Sequence, residues 1–274
     1  MDIKKVYSLA FSPVGKTEMT VRIIAETLAE KLGVCAEHID FTLPAQRMSE
    51  HTFGVDELVV IGAPTYAGKL PNKVLPDFQN KLRGKGTIVV GVVTFGNRAY
   101  DNSLAELCTV LERNDFRIVA AGAFVCRHVF SKKLAEGRPD RQDVTQMVSF
   151  VEEIVKKLLI MEGNATSIRV PGDSKAPYYK PLGLEGEEVN FLKAKPIVDE
   201  SQCNNCGMCA RVCPMGIISS TEGVNINGSC IKCFACIMKC PAQAIYFDDA
   251  DFKSHVAMLE GKYTDHKDNA FFIK

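Results

Sequence analysis

Apolar runs and helix-spaced apolar faces alternate along the first 160 residues of the chain. The runs Val6–Phe11, Cys35–Ile39, Glu57–Gly62, Thr87–Thr94 and Arg117–Val125 read as strands. Between them, Thr17–Leu32 places Val21, Ile24, Leu28 and Leu32 on one helix face. Further helices are expected at Asn72–Leu82, interrupted or kinked by Pro76, and at Ser103–Arg113. A last one runs from an Asp140 cap to Leu159, with Asp143 at N3 in place of the usual Glu of a capping box. This alternation predicts an α/β, doubly wound, five-stranded parallel sheet in the order 2-1-3-4-5, with a ligand beyond the carboxyl ends of the strands.

Three loops should line that crevice. Ser12-Pro13-Val14-Gly15-Lys16-Thr17 joins the first strand to a helix N-terminus, where free N–H groups and the helix dipole favour phosphate. Ser12 and Thr17 add hydroxyls, and Gly15 lets the backbone approach a ligand closely. The Gly-Lys-Thr is not a P-loop, because the first glycine of that pattern would fall on Ala10. Pro64-Thr65-Tyr66-Ala67-Gly68 follows the third strand, and Thr94-Phe95-Gly96-Asn97-Arg98-Ala99-Tyr100-Asp101 follows the fourth. Both carry one Tyr and small residues that expose backbone amides, as a flat tricyclic ligand with a polar edge requires.

Composition narrows the setting. Hydrophobic residues make up 46% and charged residues 24%, with a formal net charge of +0. Such a balance gives no strong field for nucleic acid or an anionic membrane. No apolar run approaches the ~20 residues of a membrane helix. The N-terminal stretch lacks the apolar core of a signal peptide, so a cytoplasmic protein of an anaerobe is expected. Cys35, Cys108 and Cys126 share no ligand spacing and read as core or near-core residues. No role is assigned to any of the five histidines.

The other eight of 11 cysteines form two copies of C-x2-C-x2-C-x3-C-P: Cys203, Cys206, Cys209, Cys213 and Cys230, Cys233, Cys236, Cys240. An offset of 27 residues maps Cys203 onto Cys230, Pro214 onto Pro241 and Ile218 onto Ile245, an internal repeat. This is the bacterial ferredoxin spacing, in which the fourth Cys of each run ligates the other cluster. Three thiolates wrap one face of a cubane, and the x3 spacing carries the fourth a helical turn onward. A zinc site uses paired C-x2-C across a long gap and has no role for a third Cys at i+6. Disulfides would imply a secreted chain, which nothing else supports. Two [4Fe–4S] clusters are therefore expected, one on Cys203, Cys206, Cys209 and Cys240, the other on Cys230, Cys233, Cys236 and Cys213. Ile197, Ile218, Phe234, Ile237 and Ile245 are expected to wrap them.

Residues 197–248 thus resemble the dicluster ferredoxins, a small α+β domain. Residues 4–160 resemble flavodoxin: Ser12-x-x-Gly15-x-Thr17 matches its phosphate loop, and Gly96…Tyr100-Asp101 the loop whose Tyr stacks on the isoalloxazine. The chain departs in having no Trp for the other ring face. Either Tyr66 substitutes, or that face is open to a substrate or to the ferredoxin module. Lys16 stands where a neutral residue is usual and could pair with the phosphate. The arrangement resembles the flavodoxin–ferredoxin fusion proteins, which implies one FMN and two [4Fe–4S] clusters. Domains are expected at 1–162 (flavodoxin-like), 163–196 (a Pro-rich linker that Tyr178 and Tyr179 pin to one domain), 197–248 (ferredoxin) and 249–274 (tail). The tail either folds back through its apolar Phe271-Phe272-Ile273 end or frays.

Two functions remain open on sequence. One is a carrier exchanging electrons with redox partner proteins of ferredoxin type. The other is a reductase of a small molecule such as a quinone, nitro, azo or activated alkene compound. The carrier is favoured because no acid/base constellation appears beside the flavin loops. No G-x-G-x-x-G follows a strand, so no separate nicotinamide domain is expected. The basic stretch Arg127–Arg141 reads as a solvated loop, a lid or a docking surface for an acidic carrier. A homodimer would bring one chain's clusters near another's flavin.

Overall fold

Strands in the first half are apolar on both faces because helices cover both. The computed structural model describes residues 2–161, 167–221 and 223–273. Strands β1 (Lys5–Ala10), β2 (Cys35–Asp40), β3 (Glu57–Pro64), β4 (Thr87–Phe95) and β5 (Phe116–Val125) are parallel and lie in the order β2-β1-β3-β4-β5. Period-two alternation sends Val59, Ile61, Val89 and Val93 to one face. There they meet Phe78 of α2 (Leu75–Lys81) and Leu104, Leu107 and Leu111 of α3 (Ser103–Arg113). Leu58, Val60, Ile88 and Val90 face the other way. They pack on Val21, Ile24 and Leu28 of α1 (Lys16–Leu32) and on Met147, Phe150 and Ile154 of α4 (Arg141–Ile160). Every residue of β4, a strand with neighbours on both sides and helices on both faces, is buried.

The helix termini follow local chemistry. Asp140 accepts the Asp143 N–H at 2.9 Å, and the Asp143 carboxylate accepts the Asp140 N–H at 2.8 Å, so an Asp pair completes the capping box that starts α4. Pro76 does not kink a long helix, contrary to expectation. It sits in the first turn of α2, where no intrahelical N–H is needed, and the helix begins at Leu75 because of it.

The cysteine module is small and repeats itself. Strand β6 (Ile197–Val198), helix α5 (Met208–Arg211) and β7 (Ile218–Ser219) are followed by β8 (Asn225–Ile226), helix α6 (Ala235–Met238) and β9 (Ile245–Tyr246). β9 pairs antiparallel with β6, and β8 with β7. The 27-residue offset holds in the backbone as well: Asn205 and Lys232 (φ 54° and 55°), Gly207 and Phe234 (71° and 63°), and Gly216 and Gln243 (61° and 52°) share left-handed conformations.

The tail does not fray. Helix α7 (Ala250–Lys262) leads back to the sheet, where β10 (Ala270–Phe272) pairs antiparallel with β5 and makes a sixth strand. Five strands were expected; the sixth covers the open edge of β5. Phe271 stacks on Phe150 at 5.1 Å and leans on Phe124 at 5.5 Å. Arg127–Arg141 is likewise not simply a solvated loop, although Lys132, Lys133, Glu136 and Arg141 are exposed. Its Leu134 is buried against Met258 and Leu259 of α7, Phe130 packs beside them, and Lys133 pairs with Glu260 at 2.7 Å. Among the described residues, no helix is long and apolar enough to cross a membrane.

Replacing Phe271 by Ala should cost about 2 kcal/mol of stability, since a ring exposed over about a third of its surface buries less than a core Phe. Urea unfolding measures it. A change within about 0.5 kcal/mol, as for an ordinary surface substitution, would mean that the tail strand is not part of the cooperative fold.

Candidate functional site

The crevice at the carboxyl ends of β1, β3 and β4 is built from the three loops. Gly15 caps α1 with φ +85°, and nothing lies within 4 Å of where a Cβ would stand. The hydroxyl oxygen of Ser12 accepts the Glu18 N–H at 2.9 Å. Among the described residues the N–H groups of Val14, Lys16 and Thr17 find no protein acceptor, although Thr17 is almost fully buried. Unpaired amides at a helix N-terminus form a cradle for an anion. Thr17 and Thr94 share a buried hydroxyl–hydroxyl hydrogen bond of 2.7 Å, which links the first loop to the third.

The second and third loops are fastened to each other. Thr65 donates its N–H to the Thr94 carbonyl at 2.7 Å, its hydroxyl meets that of Ser103 at 2.7 Å, and the Asn102 N–H reaches the Gly68 carbonyl at 2.9 Å. Tyr66 and Lys69 exchange backbone hydrogen bonds across a turn in which Ala67 and Gly68 both have positive φ. Pro64 ends β3. Lys69, itself buried, pairs with buried Glu106 at 2.9 Å and donates to the carbonyls of Ser174 and Ala176. Tyr178 donates its hydroxyl to the Leu70 carbonyl, and the Tyr179 N–H goes to the Ala67 carbonyl. The Pro-rich segment is thereby pinned to the second loop.

Phe95 and Tyr100 pack together at 5.5 Å. With Arg98 and Asp101 they line an open cleft of about 320 Å³, whose other walls are Pro171 and Gly172 of the linker and Lys267 and Asp268 of the tail. Arg98 bonds the Asp101 carboxylate and lies 4.1 Å from the centre of the Tyr179 ring. Asn97 also serves the tail. Its side chain turns to the tail and donates to the carbonyls of Tyr263 (2.6 Å) and Asp265 (3.0 Å), so it holds the tail in place. Gly96 is occupied from one side: a Cβ there would stand 2.4 Å from Cδ2 of His128. His128 accepts the Phe130 N–H at Nδ1 (3.1 Å), which leaves the proton on Nε2, and burial lowers its pKa to about 4. No sequence spacing tied His128 to this loop. The only trace was Gly96 itself.

The second site lies alongside. Cys213, Cys230, Cys233 and Cys236 line one apolar cavity, although Cys213 comes from the other run; Pro214, Ile218, Phe234 and Phe247 help to wall it. Cys203 and Cys240 are the sulfurs that act on Cys209, which puts these three from two runs together. Cys203 and Cys240 are half-buried and Cys206 is exposed, whereas Cys213, Cys233 and Cys236 are buried. Burial pushes Cys236 up to about 12, so a thiolate there is stable only against a positively charged partner. Among the described residues no three His, Cys, Asp or Glu side chains converge on a single-ion position. Of the expected wrapping residues, Ile197 instead points outward, 42% exposed.

The two sites touch. Arg47 donates to the Pro214 carbonyl at 2.8 Å, and Met215 and Ile231 pack on the core beneath the sheet. The Tyr66 phenol is raised well above its usual value, chiefly by burial and then by the Cys233 and Cys230 sulfurs. The flavin-loop Tyr therefore stands beside the second cysteine run.

Residues 195–241 match the family described as a 4Fe-4S dicluster domain. No curated protein matches the chain. Among solved structures the chain is similar to a Streptococcus pneumoniae TIGR4 flavodoxin, at 17% identity and a TM-score of 0.40 over 56% of this chain and 99% of that one. It is similar also to oxidised flavodoxin 2 of Bacillus cereus, at 16% identity and a TM-score of 0.39 over 56% and 99%. Rubredoxin oxygen:oxidoreductase from the anaerobe Desulfovibrio gigas follows at 15% identity and a TM-score of 0.37, over 58% of this chain and 37% of that one. Strand order assigns the fold of the first part, and the family match assigns the second. The chain is a fusion of a flavodoxin-like α/β domain with a 4Fe–4S dicluster domain.

Proposed function

We propose that the chain is an electron-transfer protein that holds one FMN and two [4Fe–4S] clusters and exchanges electrons with redox partner proteins of ferredoxin type in the cytoplasm. The observation that carries this reading is the direct contact of the two parts: Met215 and Ile231, beside Cys213 and Cys230 in sequence, pack on the core under the crevice strands, and Arg47 donates to the Pro214 carbonyl at 2.8 Å. When bound, the clusters would supply one-electron exchange and the flavin two-electron storage. Cys203, Cys206, Cys209 and Cys240 would hold one cluster, and Cys230, Cys233, Cys236 and Cys213 the other.

The unpaired N–H groups of Val14, Lys16 and Thr17, with the Ser12 hydroxyl, would bind the phosphate, and the Lys16 ammonium would offset its charge. Tyr100 and Tyr66 supply flat faces for the ring. Thr65, Ala67, Gly68, Thr94, Phe95, Gly96 and Asp101 shape its edge, and Asn97 acts through the tail it anchors. The fit is supported by the open space at Gly15 and by the preorganised hydrogen bonds between the second and third loops.

A small-molecule reductase is the second reading, favoured by the cleft beside Tyr100 with its Arg98. A cleft of about 320 Å³ lies in the range that small ligands occupy. His128, seated at Gly96 as a neutral imidazole, adds a hydrogen-bond donor that the sequence had not pointed to.

Three measurements test this. Cys213→Ser should damage the cluster bound mainly by Cys230, Cys233 and Cys236 while EPR of the other persists; loss of the cluster on its own run would overturn the ligand assignment. Gly15→Val should abolish FMN retention and spare the clusters, because a β-branched residue at φ +85° cannot keep the cradle. Full flavin content in that variant contradicts the phosphate-loop role. Stopped-flow reoxidation of the reduced protein under anaerobic conditions separates the two functions. Fast exchange with oxidised ferredoxin and only slow, unsaturable leakage to small oxidants is expected of a carrier. Saturable reoxidation by one class of small molecule makes it a reductase.

A further inference from the structure

Phe234 breaks the symmetry of the cysteine repeat. Its counterpart 27 residues earlier is Gly207, and both sit one residue before their short helix in the left-handed region, at φ 63° and 71°. Glycine adopts that conformation without strain, and a bulky aromatic residue rarely does. The ring makes contacts that a glycine cannot. It stacks on Phe247 at 5.3 Å and lies 5.8 Å from Phe252 of α7, within its own half of the molecule. Across the boundary it meets Phe130 of the 127–141 segment at 5.0 Å. Phe130 in turn packs against His128 at 5.0 Å, and His128 fills the space over Gly96. A line of ring contacts therefore runs from the wall of the Cys213–Cys230–Cys233–Cys236 cavity to the third crevice loop.

We infer that Phe234 is a positioning residue: it is held in an unfavourable backbone conformation so that its ring, through Phe130 and His128, docks the second cysteine run against the flavin loop of the same chain. The inference rests on the FMN and [4Fe–4S] reading above. It places the working cofactor pair within one chain, so a homodimer is not required to bring them together. Strain at a non-glycine residue persists where the surroundings over-determine it, and such residues gather at functional sites. Here the surroundings are rings from three other stretches, Phe130, Phe247 and Phe252.

Phe234→Gly should relieve the backbone and undo the docking together. In the holoprotein, hydrogen–deuterium exchange of residues 127–134 should rise while that of β4 and β5 stays as it was. Electron redistribution between cluster and flavin after flash reduction at low protein concentration should slow about ten-fold or more, as small losses of alignment do. Phe234→Tyr, which keeps the ring, should restore both. Should Phe234→Gly lose its cluster through its place in the cavity wall, Phe130→Ala probes the same contact from outside that wall and should slow redistribution with both clusters intact by EPR. Unchanged exchange and unchanged redistribution in Phe130→Ala would overturn the inference. A parent protein that lacks flavin or 4Fe–4S signals would instead refute the cofactor reading, before any variant is made.

Discussion

Rings from five separate stretches of the chain meet at one place, and the relation between the two halves depends on it. His128 and Phe130 come from the excursion after β5, Phe191 from the linker, Phe234 from the second cysteine loop, Phe247 from the end of β9, and Phe252 and His255 from α7. A ring pair contributes about 0.5–1.5 kcal/mol beyond its buried area, and burial of a ring about 1.5–3 kcal/mol. The hydrogen bond from Arg47 to the Pro214 carbonyl is worth about 1.5–3 kcal/mol. The rings outweigh it, so the junction is an apolar one.

The linker and the tail serve the same constraint. Lys69, buried with Glu106, captures two linker carbonyls and fixes the second crevice loop in one act. A buried pair of this kind costs desolvation, and its return is geometric: removing either partner strands the other charge in the interior. The tail threads past the third loop through Asn97 and ends as a strand on β5. Loop, linker and tail are therefore coupled elements, although they are far apart in sequence.

Sequence periodicity carried the parallel sheet, because runs such as TIVVGVVT have few alternatives, and the repeat of cysteines pointed to the cavity that Cys213 lines with the opposite run. What it could not carry were contacts without a local signature. Ala270–Phe272 has no alternation long enough to announce a strand, and it becomes one only because β5 offers an open edge. The basic look of Arg127–Arg141 concealed Leu134 and Phe130, which decide its position. Phe234 looked like one more cluster-wrapping residue, since sequence does not display a positive φ. The hold of Asn97 on the tail likewise had no signature in sequence.

The central claim is that one chain carries the flavin and both clusters. The most direct measurement is the composition of the protein purified under anaerobic conditions, by iron and acid-labile sulfide assay, flavin extraction and EPR of the reduced state. The account predicts about eight iron and eight sulfide per chain, two clusters of four, with one FMN. Zinc in place of iron, one cluster's worth of iron, or a protein without flavin would contradict it.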